Sequence, residues 1–264
     1  MLIIGERINS SSKHIAQAIV SLDSGFIQDQ ATAQIKAGAT YIDLNAGSFI
    51  GEELKYLKWL IKVVQECTDH PLCIDSPDQK VIKKVLPMVK TAPMINSITL
   101  EADRLQGILP IVAEYNAKVI ALCQTQDSIA ESTEDKVRLA GQLVETVLAS
   151  GIDLDDLYID PLVYPLGTNT ESAKATLDAI EQIMKKFPGV HTTCGLTNIS
   201  YGLPQRRLVN RTFLVAAIGR GLDSAIIDPT DKKLYASLKA ALMVMDKDEF
   251  CMRYISAFKE GRLE

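Results

Sequence analysis

Several features that define other classes of protein are missing from this chain of 264 residues. No apolar run approaches the length of a membrane span. The first residues contain Glu6 and Arg7 and do not read as a signal peptide. The net charge is −5, so the basic surplus that nucleic-acid and membrane-surface binders need is absent. These absences predict a soluble, cytoplasmic protein that binds neither nucleic acid nor membranes.

Cysteine and histidine are arranged without the spacings of a disulfide framework or a metal site. The five cysteines include no CxxC pair, and three of them lie in apolar runs, which predicts reduced core thiols. The three histidines do not form a ligand pair, so we expect no bound metal. We predict loops around His14 and His70, and a strand at His191.

Short apolar runs alternate with longer amphipathic segments along the whole chain. The runs lie at 2–9, 40–47, 71–78, 93–99, 118–125, 157–163, 190–198 and 224–230. Near-continuous hydrophobicity over so few residues is typical of strands buried on both faces of a parallel sheet. The spacing predicts helices at 26–38, 52–66, 78–90, 101–116, 133–150, 170–187, 204–220, 231–245 and 247–260.

Eight strand–helix units in a chain of this length predict a closed (β/α)8 TIM barrel, which usually has about 250 residues. No low-complexity linker divides the sequence, so we predict one domain over 1–264. An open, doubly wound α/β sheet is the alternative. It is disfavoured because no GxGxxG motif follows the first run.

Every apolar run finishes in polar residues. They are Glu6, Asn9, Asp43, Asn45, Asp75, Asn96, Gln124, Asp160, Asn198 and Asp228. In a barrel these positions converge at the carboxyl-end mouth, where active sites are built. Asp and Asn also cap helices that follow strands. However, Asp75, Asn96 and Asp160 occupy the last predicted strand positions, which favours a site.

The types of side chain at the predicted mouth exclude some reaction classes and favour one class of ligand. No lysine ends a run, so a Schiff-base mechanism has no candidate amine. No glycine-rich loop indicates a phosphorylated substrate. The remaining carboxylates and amides suit a flat heterocycle with several N–H donors and a carbonyl. A carboxylate can accept two hydrogen bonds at once from an N–C–N edge.

The sequence resembles the pterin-binding methyltransferases that pass a methyl group between tetrahydrofolate and a corrinoid protein. The matching segments are IGERIN (4–9), DLNAG (43–47), IDS (74–76), INSI (95–98), YIDPLVYPLG (158–167) and GLTNISYGLPQRRLVNRTFL (195–214). The last segment is long and specific, and the resemblance extends over the whole chain. It implies a (β/α) barrel, usually a homodimer, with a dihydropteroate-synthase-like pterin site.

The resemblance also implies roles for individual residues. Asp75, Asn96 and Asp160 would hold the edge of the pterin ring by hydrogen bonds. Asn198 would lie beside the ring nitrogen that bears the methyl group, and is the catalytic candidate. Asp160 and an ordered water would be further members of its proton network.

Three more residues lie in the same long matching segment. Gly195, Ser200 and Arg207 would shape the loop or contact the folate. Arg206 and Arg211 are as well explained by a solvated helix face, so Arg207 is the preferred arginine.

The resemblance implies tetrahydrofolate or 5-methyltetrahydrofolate as substrate. The corrinoid (cobalamin) would arrive on a separate protein, because the Asp-x-His-x-x-Gly cobalamin motif is absent. A relative of dihydropteroate synthase stays open, although its Ser-Arg-Lys and Thr-Pro-Asp-Ser-Phe motifs are missing. A non-catalytic folate-binding subunit also stays open. The sequence does not set the direction of transfer or the pathway.

Overall fold

A computed structural model describes residues 1–126 and 128–263. The strands are β1 (Leu2–Asn9), β2 (Tyr41–Asn45), β3 (Leu72–Asp75), β4 (Met94–Ile98), β5 (Lys118–Leu122), β6 (Leu157–Asp160), β7 (His191–Thr192) and β8 (Ser224–Ile227). The helices are α1 (Lys13–Val20), α2 (Ser24–Lys36), α3 (Glu53–Cys67), α4 (Gln79–Val85), α5 (Ala102–Glu114), α6 (Thr133–Ala149), α7 (Ser172–Lys186), α8 (Arg206–Gly219), α9 (Lys232–Val244) and α10 (Met252–Lys259). In the described part of the chain, no helix has the length and apolar character needed to cross a membrane.

The eight strands form one parallel sheet in the order β7-β6-β5-β4-β3-β2-β1-β8. The ring closes between β7 and β8 at the bridge of Gly195 with Ile226, where the Ile226 N–H donates to the Cys194 carbonyl at 3.0 Å. The predicted (β/α)8 barrel is therefore confirmed. Within the apolar run at 190–198, the predicted strand over 190–194 is found as the shorter β7, and the predicted polar loop that follows it contains a 3-10 helix over Leu196–Ser200.

Every predicted helical segment contains a helix, and the structure differs from the prediction at four places. The segment predicted at 78–90 is α-helical only to Val85 and continues as a 3-10 turn over Leu86–Met88, and the segment predicted at 247–260 becomes α-helical only at Met252. The sequence prediction missed α1, and His14 lies on it rather than in a loop. This helix has eight residues and buries only Ile15, Ala18 and Ile19, so its periodic signal is short. Helix α8 begins at Arg206 instead of Pro204, because Gln205 adopts a left-handed φ of 52°.

Two apolar layers support the sheet. A large core fills the space between the sheet and the helices. A smaller cluster fills the inside of the barrel and consists of Ile4, Tyr41, Cys73, Met94, Ile120 and Tyr158. Side chains two positions apart in a strand point to the same face. Above this apolar layer, the next inward positions are therefore Glu6, Asp43, Asp75, Asn96 and Asp160.

Candidate active site

A cavity of about 890 Å³ opens at the carboxyl-end mouth of the barrel. Its walls include four of the predicted site residues, Asp75, Asn96, Gly195 and Asn198. They also include Glu6, Arg7, Asp43 and Asp228. The volume is within the range of small-molecule sites, about 300–1,000 Å³.

Asp75 and Asn96 lie side by side, because they are register partners on β3 and β4. The Asn45 amide donates to Asp75 Oδ2 at 2.8 Å and fixes the carboxyl group. Burial raises the pKa of Asp75 to about 6, while the hydrogen bond from Asn45 opposes the shift. The pair presents acceptor and donor atoms along one edge of the cavity, as the edge of a flat heterocycle requires.

A single arginine joins the loops that follow these two residues. Arg104, in the first turn of α5, donates from Nη2 to the Ser76 carbonyl at 2.8 Å and to the Ser97 carbonyl at 2.6 Å. Its Nη1 also donates to the carbonyl of Pro77. The guanidinium therefore sets the spacing between the ends of β3 and β4.

Asp43 is a buried carboxyl group beside this pair. Within the described residues its Oδ1 has no hydrogen-bond partner, although it is only 2% exposed. Burial raises the pKa of Asp43 well above its usual range, and the Asp75 carboxylate adds to the effect. An unpaired buried oxygen of this kind is costly, which is typical of a site that a ligand completes.

Asp160 lies at the end of β6 and is not among the residues of the cavity wall. It is 5% exposed, and its Oδ1 accepts the Leu162 N–H at 2.7 Å. Burial raises the pKa of Asp160 to about 6, with the N–H groups of Leu162 and Gly195 opposing the shift. The buried Lys136 ammonium donates to the carbonyls of the next two residues, Pro161 and Leu162, both at 2.6 Å. Lys136 thus fixes the chain that follows β6.

Asn198 is placed on the loop that follows β7. A Cβ atom at Gly195 would lie 3.1 Å from Asn198 Nδ2, so glycine leaves the room that the amide needs. Since the Gly195 N–H also lies against Asp160, this glycine connects the two predicted catalytic residues. The loop is braced by Arg206, which donates to the Thr197 carbonyl at 2.9 Å and to Ser200 Oγ at 3.2 Å.

Like Asp160, two more predicted site residues lie outside the cavity wall. Ser200 is fully buried and its hydroxyl is used inside the loop, where it donates to the Thr197 carbonyl at 3.3 Å. The Arg207 side chain is 85% exposed and lies 3.8 Å from Asp231. It borders a neighbouring depression that shares Arg7 and Asp228 with the main cavity.

The end of β1 contributes groups that the sequence alone did not rank as site residues. The pairing of β1 with β2 shifts register between Gly5 and Ile8, which marks a bulge. Both Glu6 and Arg7 therefore line the cavity. Arg7 Nη1 donates to Asp228 Oδ2 at 3.0 Å. The sequence feature that could have identified Glu6 is the two-residue period of a strand, which places Glu6 on the same inner face as Ile4.

The described residues contain no group of three or more His, Cys, Asp or Glu side chains that could hold a metal ion. The cysteines are free thiols, and Cys73, Cys123 and Cys194 are buried.

Comparison with known proteins identifies the family. A model of pterin binding enzymes matches residues 5–228. The chain belongs to the pterin-binding enzyme family. It is 37% identical over 265 residues to a methylcorrinoid:tetrahydrofolate methyltransferase of Eubacterium limosum, covering 100% of this chain and 98% of that protein.

Two further proteins are similar to this chain, one in sequence and one in fold. A methionine synthase of Mycobacterium tuberculosis is 31% identical over 241 residues, which cover 86% of this chain and 20% of that protein. A dihydropteroate synthase from Xanthomonas albilineans, solved with 7,8-dihydropteroate, superposes with a TM-score of 0.68 at 19% identity, covering 94% of this chain and 93% of that one. The last likeness concerns the fold.

Proposed function

We propose that this protein transfers a methyl group between the N5 nitrogen of tetrahydrofolate and the cobalt of a corrinoid carried by a separate protein. The observation that supports this most is the full-length relationship to a methylcorrinoid:tetrahydrofolate methyltransferase. The name of that relative favours transfer from the methylcorrinoid to tetrahydrofolate. We further propose that residues 1–264 act as one pterin-binding domain.

The pterin ring would enter the mouth with its N–C–N edge toward Asp75 and Asn96. The carboxyl group of Asp75 can accept from two ring N–H donors, and the amide of Asn96 can pair with a neighbouring ring atom. We propose Asp160, at the end of β6, as a further hydrogen-bond partner of the same ring. These groups are buried and have lost hydrogen bonds to water. A ligand that replaces those hydrogen bonds is therefore favoured.

The reacting nitrogen would lie beside Asn198. When the methyl group leaves this nitrogen, the amine is a poor leaving group unless it is protonated or strongly hydrogen-bonded. A carboxamide can donate N–H to a lone pair and can accept from an N–H through its oxygen, so it serves both states. Gly195 leaves room for the Asn198 amide, since a side chain there would meet Nδ2.

We propose Gly195, Ser200 and Arg206 as the structural support of the loop, and Arg207 as a contact for the outer part of folate from the neighbouring depression. A corrinoid protein would dock over the open mouth. We also propose a homodimer in the cytoplasm, and light scattering of the purified protein tests the dimer.

The test is incubation of the purified protein with methyltetrahydrofolate and free reduced cobalamin, followed by the cobalt absorption spectrum. The reverse reaction uses methylcobalamin and tetrahydrofolate. We expect protein-dependent conversion in both directions. Folate binding without spectral change would instead indicate a non-catalytic subunit. Condensation of a dihydropterin pyrophosphate with p-aminobenzoate would indicate a dihydropteroate synthase.

A further inference from the structure

Glu6 occupies the same inward layer as the predicted pterin ligands. It lies two positions after Ile4, which belongs to the apolar cluster inside the barrel. Asp75 follows Cys73, and Asn96 follows Met94, by the same two positions. Glu6 lines the cavity together with these residues and with Asn198. Its carboxyl group is therefore part of the surface that a bound pterin would face.

The topology places Glu6 on the side of the mouth where Asn198 lies. Gly195 bridges to Ile226 of β8, and Ile226 is the register partner of Ile4 on β1. One strand thus separates the Asn198 loop from β1. Asp75 is farther away, because β1 and β2 also lie between β8 and β3.

Two carboxyl groups lie on this side, those of Glu6 and Asp228, and among the described residues only Asp228 has an ion-pair partner. Asp228 accepts from Arg7 Nη1 through Oδ2, and from the Thr230 N–H and hydroxyl through Oδ1. The Glu6 carboxyl group has only the backbone N–H of Asp228 beside it as a donor in the described part of the chain. The Asp228 carboxylate therefore positions Arg7. The Glu6 carboxyl group has no ion-pair partner among the described residues and is available to exchange a proton.

Resting on the proposed function, we infer that Glu6 is the carboxyl group that delivers a proton to the pterin ring nitrogen, and takes it back, during methyl transfer. When the methyl group leaves folate, the Glu6 proton moves to the nitrogen. The C–N bond breaks and its electron pair stays on the nitrogen, which becomes N–H. Reduced cobalt supplies the pair for the new carbon bond. In reverse, the nitrogen attacks the methyl group, its proton returns to Glu6, and cobalt regains its pair.

The charged groups around Glu6 are consistent with this role. Burial raises the pKa of Glu6 to about 7 and the Asp228 carboxylate adds to the effect, while Arg206 of α8 opposes it. Asp43 of β2 and Cys194, which follows β7, are further titratable groups near enough to interact with Glu6. An acid that titrates near neutral pH can both give and accept a proton.

Glu6→Gln tests the inference, because it keeps the shape and removes the titration. We expect transfer from methyltetrahydrofolate to free reduced cobalamin by wild type to slow as the pH rises through about 7. Glu6→Gln should lose this dependence and be about 10²–10⁴-fold slower. Glu6→Asp should retain the dependence at a lower rate, and Glu134→Gln, on the exposed face of α6, should match wild type.

A second readout does not need the corrinoid. Proton uptake or release on binding tetrahydrofolate, followed with a pH indicator, should lose one component in Glu6→Gln while folate still binds. If Glu6→Gln and wild type share both the rate profile and the proton exchange, the inference is wrong and the proposed function stands. A wild-type protein that transfers no methyl group would overturn both.

Discussion

The side-chain oxygen of Gln34 accepts the backbone N–H of Arg7 at 3.0 Å, across 27 residues of sequence. This contact holds the bulge at the end of β1, where the ladder with β2 shifts register. Arg7 Nε in turn donates to Gln30 at 2.8 Å, from the same helix, α2. Helix α2 therefore sets the conformation that turns Glu6 and Arg7 into the cavity.

Gly5→Ala should disturb this arrangement. A Cβ atom at Gly5 would lie 2.4 Å from Gln34 Oε1, so Gln34 would have to leave the Arg7 N–H. We expect a loss of about 1–3 kcal/mol in the free energy of unfolding, as for other overpacked positions, together with weaker folate binding. Urea unfolding and folate titration measure the two effects.

The matched control is Gly219→Ala at the end of α8, where no atom lies within 4 Å of the added Cβ. It should be neutral or stabilising by about 0.5 kcal/mol. Equal stability of the two variants would contradict the role given to Gln34.

Arg104→Met should weaken folate binding more than it weakens the fold. Its guanidinium bridges the carbonyls that follow Asp75 and Asn96, and its loss lets the two strand ends shift. Hydrogen bonds from a charged donor contribute about 1.5–3 kcal/mol, so a roughly tenfold to hundredfold rise in the folate Kd is expected. Arg138→Met, at an exposed ion pair with Asp135, is the control. An unchanged Kd for Arg104→Met would show that this residue does not position Asp75 and Asn96 for folate binding.

Asn198→Ala and Asp75→Ala should separate chemistry from binding. Asn198→Ala removes a donor at the reacting nitrogen, so the rate of methyl transfer should fall by about 10²–10³-fold with a smaller change in folate affinity. Asp75→Ala leaves ring N–H groups unpaired and should mainly raise the folate Kd. Rates at saturating folate, compared with Kd values from titration, distinguish them. Unchanged turnover of Asn198→Ala would exclude the amide from the mechanism.

His191 should make stability depend on pH at the opposite end of the barrel. The hydrogen bond to Asp223, 2.6 Å from Nδ1, raises the pKa of His191, burial opposes the shift, and Asp155 adds to it. The stabilisation is fully present below the ordinary value of about 6.5 and is lost as the pH rises through the raised value.

Urea unfolding of His191→Gln and wild type across this range tests the effect. The difference in their free energies of unfolding should shrink as the pH rises. His70→Gln, at an exposed position, should follow wild type throughout. A constant difference for His191→Gln would show that its charge does not stabilise the fold.

The barrel and most of its strand ends could be predicted because burial on both faces gives short, near-continuous apolar runs. The positions of Asp75, Asn96 and Asn198 at the mouth follow from the same runs. Sequence could not rank Arg206 above Arg207 as the support of the loop. Which of the two arginines contacts the loop depends on the left-handed conformation of Gln205. This residue sets where α8 begins and therefore the direction in which the side chains of its first turn point.

The cavity wall formed by β1 was harder to predict for another reason. A regular strand turns alternate residues inward, so Glu6 and Arg7 are not expected to face the same cavity. The bulge that brings them together is held by Gln34, which is distant in sequence. Long-range contacts of this kind leave no local pattern in the chain.

The most direct test of the account is a crystal structure of the protein soaked with tetrahydrofolate. We expect the pterin ring in the mouth of the barrel, with Asp75 and Asn96 within hydrogen-bond distance of its N–C–N edge and Asn198 beside N5. A mouth that stays empty at saturating folate, or a pterin bound elsewhere on the protein, would contradict it.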